Sequence, residues 1–227
     1  MPWLGFFHKI SKCETVVLFD HVFASRGKSW HNRNRLLING EPKWLTMPIE
    51  RKGKGCQRYY EIKINTNINK RKQTKSIEMS YLKTDYFHEI FPLIKQLLEA
   101  NYEYLLDFNL EFIKVITQGL GLNPAFISSQ DLACKNPDLI TFTQNDLVLQ
   151  TCIDVGATEY FSGTGCLDFI RPETFTEKGI KFYFQKFKHP EYQQKNSRGN
   201  SFISNLSILD ALFNIGFSGT RKTLMGA

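Results

Sequence analysis

From residue 125 onward, short apolar runs alternate with longer segments that carry helix-period stripes. AFISS (125–129) reads as a strand. Residues 143–157 read as a helix, with Thr143 at its N-cap and Gly156 at its end. EYFS (159–162) is a strand running into a glycine-containing turn. PETFTEKG (172–179) is a short helix closed by Gly179, and IKFYFQKF (180–187) alternates as a strand does. NLSILDALFNIG (205–216) is a helix capped by Asn205 or Ser207 and stopped by Gly216, which leaves 217–227 as a tail. Strands that alternate with helices imply an α/β fold: a mixed, partly parallel sheet with flanking helices.

The first half adds elements to the same sheet. PWLGFFHKI (2–10) places Trp3, Leu4, Phe7 and Ile10 at helical spacing. TVVLFD (15–20) is rich in β-branched residues and ends in a carboxylate, so it reads as a buried strand with Asp20 at its C-terminal end. RLLI (35–38) and KWLTMPI (43–49) flank Asn39-Gly40, a strong turn signal, and Glu41 and Pro42 are expected to lengthen that loop. YYEIKI (59–64) is a further strand candidate. Helices are expected over 72–82, 88–100 and 104–120, the last two as an antiparallel pair packed on the sheet. No linker or internal repeat interrupts the chain, so residues 1–227 are expected to form one domain.

Composition narrows the function classes. A net charge of +7 suits anionic ligands, nucleotides or an anionic surface without choosing among them. RKGKGC (51–56) lacks the spacing of a phosphate-binding P-loop, and no RNA-recognition signature is present, so specific nucleic-acid binding is not expected. The five cysteines follow no C-x-x-C pattern, which suggests neither a disulfide framework nor a zinc site, and reduced thiols point to a cytoplasmic protein. No apolar run reaches the roughly 18–20 residues of a spanning helix, and the N-terminus has no signal-peptide pattern.

Chemistry concentrates in SRGKSWHNRNR (25–35), which gathers Lys28, Arg26, Arg33 and Arg35 with His31, Asn32, Asn34 and Trp30 and contains no carboxylate. It stands just beyond Asp20, and ligands of open α/β sheets gather outside the carboxyl ends of the strands. Asp20 could orient His31 as a base, or cap a turn beside a surface imidazole. Arg33 and Arg35 share a face if their segment is a strand, and paired guanidinium groups suit carboxylate or phosphate. In YFSGTGCLDFI, Gly163 and Gly165 follow a strand, so backbone amides there could face an anion beside Ser162 or Thr164. Asp168 stands where a dinucleotide fingerprint needs glycine. Cys166 has no neighbouring histidine and reads as an inert thiol. Asp210 and Asn214 lie four apart on an apolar helix face, where they either brace the site or tie the helix to a loop.

PWLGFFHKI, VVLFD and KSWHNRNR, followed by DVGATEYFSGTGCLDFI, GIKFYFQKFKHPEYQQ and NLSILDALFNIG, together resemble the WbqC-like protein family from Pro2 to about Gly216. The W-x-N-R-N and S-G-x-G-x-x-D-[FY] elements are the most specific part of that resemblance. Family members carry a first strand and a Gln-Pro-containing turn ahead of this start. Here Met1 precedes Pro2, so the chain is expected to lack that strand. The arrangement of strand, turn, helix and strand ending in Asp is also similar to nucleotidylyltransferases and pantothenate synthetase-like ligases. Their catalytic histidine pair is missing, so this suggests a Rossmann-like, nucleotidylyltransferase-type architecture and nothing about activity.

The family resemblance implies a transferase of bacterial surface-polysaccharide (O-antigen) biosynthesis, with glycyl, aminoacyl or acyl transfer to an amino-sugar. His31 is then the general base and Asp20 its orienter. Lys28 and Arg33 anchor an anion, Trp30, Asn32 and Asn34 hold the sugar or acyl group, and Ser162, Gly163, Gly165 and Asp168 complete the site. The partners are an activated sugar or nucleotide-sugar and an acyl or aminoacyl donor. No cofactor or metal is specified. The alternatives are a noncatalytic nucleotide-sugar or glycan-binding protein of the same pathway and a nucleotidylyltransferase-like enzyme. The segments 25–35 and 162–168 are expected to face one pocket.

Overall fold

The computed structural model describes residues 1–25, 30–65, 70–199 and 201–226. The chain is mixed α/β. Its helices are α1 (Leu4–Ile10), α2 (Lys70–Tyr81), α3 (Phe87–Glu99), α4 (Leu105–Gly119), α5 (Ser129–Lys135), α6 (Gln144–Asp154), α7 (Pro172–Glu177) and α8 (Ile208–Met225). Its strands are β1 (Thr15–Leu18), β2 (Arg33–Ile38), β3 (Glu41–Thr46), β4 (Ala125–Ser128), β5 (Glu159–Ser162) and β6 (Lys181–Phe184). Among the described residues the strands form three two-stranded sheets: β1 with β4 and β5 with β6, both parallel, and β2 with β3, antiparallel.

The β2–β3 hairpin is tighter than its sequence suggests. Asn39 and Gly40 have φ of 55° and 78°, as a type I′ turn requires at both central positions. Glu41 and Pro42 do not lengthen the loop: they already pair with Ile38 and Leu37. Pro42 is tolerated because β3 has a partner on one side only. YYEIKI is not a strand. Tyr59–Glu61 form a 3₁₀ turn, and beyond it only isolated bridges join Ile64 to Ile49 and Lys63 to Tyr104.

The main core packs Phe7 of α1, Leu36 and Leu37 of β2, Ile90 and Ile94 of α3, Phe108 and Phe112 of α4 and Phe213 of α8. Helices α2 and α8 cover β2, and α3 packs on α2, α4 and α8. The glycine at 216 does not end α8. It kinks the helix, with φ of 66°, and the ring of Tyr86 occupies the space a Cβ would need. The helix continues to Met225, and Thr220 and Leu224 are buried, so residues 217–225 are not a loose tail.

Asp210 and Asn214 fasten α8 to its neighbours. The Asp210 carboxylate accepts from Tyr81 Oη at 2.8 Å and from Tyr192 Oη and Gln194 Nε2, each at 2.9 Å. Asn214 accepts the Lys195 backbone N–H at 2.9 Å. Tyr81 Oη in turn accepts the Leu37 N–H at 3.0 Å, so one buried chain of bonds links β2, α2, α8 and the 192–195 segment. Of the two readings of this pair, tying the helix to a loop is what these bonds do.

Candidate functional site

Parallel pairing of β1 with β4 builds the site. The register sets Leu18 against Ser128, so the C-terminal ends of two strands far apart in sequence lie side by side. Asp20, just past β1, meets the start of α5. Its carboxylate accepts from Ser128 Oγ at 2.5 Å, Ser129 Oγ at 2.7 Å, and both the backbone N–H and the side-chain Nε2 of Gln130 at 3.3 Å. Burial alone would raise this carboxyl, but the bonds from Ser128, Ser129 and Gln130 together hold it below its usual value. Asp20 is therefore a buried, ionised group at neutral pH.

The histidine coupled to this carboxylate is His21. Its Nδ1 lies 2.6 Å from Ser129 Oγ. Because the ionised carboxylate only accepts, Ser129 gives its proton to Asp20 and takes the Nδ1–H of His21, which fixes that imidazole in the Nδ1–H tautomer. Burial, and less strongly the nearby Arg58 charge, lower the basicity of His21, while Asp20 opposes them. Arg58 also binds the His21 carbonyl at 2.9 Å and stacks on Phe23. Ser129 is fully buried with its proton committed to Asp20, so it is a strut and not a nucleophile.

A cavity of about 810 Å³ opens beside this network, within the range of small-ligand sites. Its walls include Asp20, Trp30, His31 and Asn34, so four of the residues given a site role after the family resemblance meet there. Arg35, Tyr59, Asn109 and Asn205 add further polar or aromatic surface. The His31 ring packs edge-on against Tyr59, and its carbonyl accepts from Asn109 Nδ2 at 2.9 Å. Burial first, then the charge of Arg51, keep the His31 imidazole less basic than usual. Trp30 is 62% exposed at the rim and packs on Trp44.

The other expected residues take different places. Lys28 lies outside the described residues. The Arg33 guanidinium stacks over the Trp44 ring at 4.1 Å, and Arg33 is not among the cavity walls. Asn32 is buried and gives its amide to the Met47 carbonyl at 2.9 Å, which ties β2 to the segment after β3. Ser162 is fully buried at the end of β5 and donates to the Gly163 carbonyl at 3.2 Å. A Cβ at Gly163 or Gly165 would meet nothing within 4 Å, so the backbone there does not demand glycine. Asp168 is exposed, and none of Ser162, Gly163, Gly165 and Asp168 belongs to the cavity walls.

Ser128, Ser129 and Gln130 are not among the residues singled out from sequence, because AFISS has the composition of a strand. Ser128 with Asp131 three residues on, ahead of Leu132, is a helix-start signal, and Ser128 Oγ does accept the Gln130 N–H at 3.0 Å. Cys152 is buried, which pushes its thiol up to about 12, and Cys166 is half-buried; none of the five cysteines is in a disulfide. Among the described residues no three His, Cys, Asp or Glu side chains converge as metal ligands, and no helix is long and apolar enough to cross a membrane.

The model of the WbqC-like protein family matches residues 1–222. An uncharacterized protein of Mycobacterium tuberculosis, Rv1507c, is 25% identical over 217 residues, which span 95% of this chain and 90% of the relative. No solved structure matches the chain significantly. The near-complete match to the family model, over a chain whose W-x-N-R-N segment supplies Trp30, His31 and Asn34 to the cavity wall, shows that this protein belongs to the WbqC-like family.

Proposed function

We propose that the protein is a cytoplasmic transferase of bacterial surface-polysaccharide (O-antigen) assembly, which moves an acyl or aminoacyl group onto the amine of an activated sugar or nucleotide-sugar. The observation that supports this reading is the presence of Asp20 and His31 in the wall of one cavity, behind an exposed Trp30. The sugar enters as the free amine, an imidazole of lowered basicity is neutral at pH 7 and can take its proton, and the ionised Asp20 carboxylate in the same wall stabilises the imidazolium that forms. The amine lone pair attacks the donor carbonyl and a C–N bond forms. The nitrogen proton passes to His31. The bond from the carbonyl carbon to the leaving group breaks, and the leaving group departs with that electron pair and takes up a proton. Trp30 offers an aromatic face to the sugar ring at the rim. Arg33 and Lys28 serve as anion anchors for the sugar phosphate, and Gly163, Gly165 and Asp168, with Ser162 buried beneath them, bind a more distant part of the substrates.

The test is incubation of the purified protein with a nucleotide amino-sugar and an acyl or aminoacyl donor, with products read by mass spectrometry. The expected product is the N-acylated sugar, formed far more slowly by His31→Gln. An unchanged rate in that variant overturns the role of His31. Retention of a nucleotide-sugar by the purified protein without any transfer favours a noncatalytic carrier.

A further inference from the structure

Most of the cavity wall is carbon. Trp3 just ahead of α1, Phe6 from α1, Leu18 from β1, and Leu105, Leu106 and Ile113 from α4 all face it. The polar residues in the wall spend polar atoms on the protein itself. Asn34 gives its amide to the Met1 carbonyl at 2.8 Å and accepts the Arg35 N–H at 2.8 Å. Asn109 gives its amide to the His31 carbonyl at 2.9 Å, and Arg35 Nη2 donates to the Asn205 carbonyl at 3.2 Å. Asp20 accepts from Ser128, Ser129 and Gln130. A polar ligand group taken into this space would give up water and find few partners. An apolar group removes carbon surface from water on both sides.

Charge adds a second constraint. Arg35 stands in the wall, and Arg51 lies close enough for its charge to act on His31. Arg35 in the wall, with the charge of Arg51 reaching His31, outweighs the Asp20 carboxylate, so on a chain of net charge +7 this space suits a ligand with an anionic head. We propose that the cavity holds the hydrocarbon chain of an acyl donor whose anionic carrier remains at the rim. This inference rests on the transferase reading and narrows it, from any acyl or aminoacyl group to an aliphatic acyl group.

The experiment is a titration followed by intrinsic fluorescence, since Trp3 and Trp30 are in the wall. The ligands are acetyl-, hexanoyl- and decanoyl-coenzyme A, with a glycyl thioester of the same carrier. Affinity should rise about fourfold with each methylene until the chain fills the cavity. Leu106→Trp, which fills part of the space, should flatten that dependence while the circular dichroism spectrum stays native. If this variant fails to fold, the chain-length series on the unaltered protein decides alone. Equal affinity for acetyl and decanoyl esters, or tighter binding of the glycyl thioester, overturns the proposal. Tighter binding of farnesyl phosphate than of the decanoyl ester overturns the assignment to an acyl donor. Chain-length dependence without transfer to an amino-sugar leaves the hydrocarbon site standing and removes the transferase reading. Glycyl transfer without chain-length dependence does the reverse.

Discussion

Ser129 donates its hydroxyl proton to Asp20 across 2.7 Å, although 109 positions separate them in the chain. The same oxygen stands 2.6 Å from His21 Nδ1, so one hydroxyl serves a carboxylate and an imidazole together. Ser129→Ala removes both contacts and strands the Nδ1–H. The expected loss of stability is about 1–3 kcal/mol, measured by urea unfolding at neutral pH.

The pH dependence of stability follows from the lowered Asp20 carboxyl. A depressed folded value means that the contribution is present above the unfolded value of 3.8 and is lost as pH falls through the folded one. Stability should therefore drop on acidification below pH 3.8. Ser129→Ala should shrink that drop, because the folded carboxyl moves back towards its ordinary value. Unfolding midpoints measured across this range for both proteins check the sign.

His31 gives a pH dependence of rate. Burial, and then the charge of Arg51, place its folded value below 6.5. As a general base it must be neutral, so the transfer rate should be level above pH 6.5 and fall only as pH drops through the lower folded value. His31→Gln should lower the rate by about 10²–10⁴ and remove that limb. Initial rates across the range, read by product mass spectrometry, check both.

Arg33 stacks its guanidinium on Trp44 at 4.1 Å. Lysine keeps the charge but loses the flat stacking face, so Arg33→Lys should cost about 0.5–1 kcal/mol of stability. The check is a thermal melt beside a titration with an anionic donor. An unchanged melt with weaker binding would assign Arg33 to the ligand.

Asp210 is fully buried and accepts from Tyr81, Tyr192 and Gln194. Asp210→Ala leaves those donors without an acceptor and should cost about 3 kcal/mol or more in urea unfolding. Asp210→Asn keeps one carbonyl and removes a charge whose burial raises the carboxyl value, so its cost should be smaller.

The amino-acid sequence by itself determined which segments become helices and strands wherever the pattern is long or sharply punctuated. Helices α3, α4 and α6, the strands at 15–18, 125–128, 159–162 and 181–184, and the turn at Asn39-Gly40 follow from apolar period and turn chemistry, which act within a few residues. Sequence also placed Asp20 at a strand end and drew His31, Trp30 and Asn34 out as site candidates. Only the tertiary structure decided what surrounds them. The partners of Asp20 come from Ser128–Gln130 because β1 pairs in parallel with β4, a choice made by non-local packing that no local period encodes. The same holds for the exceptions. YYEIKI has strand composition but gains only isolated bridges, and Gly216 kinks α8 instead of ending it because the chain beyond finds a buried place for Thr220 and Leu224. Arg33, Asn32 and Ser162 carry the chemistry of a site, and only the fold shows what each also meets, the Trp44 ring, the Met47 carbonyl and the Gly163 carbonyl, since non-local packing sets which groups a side chain can reach.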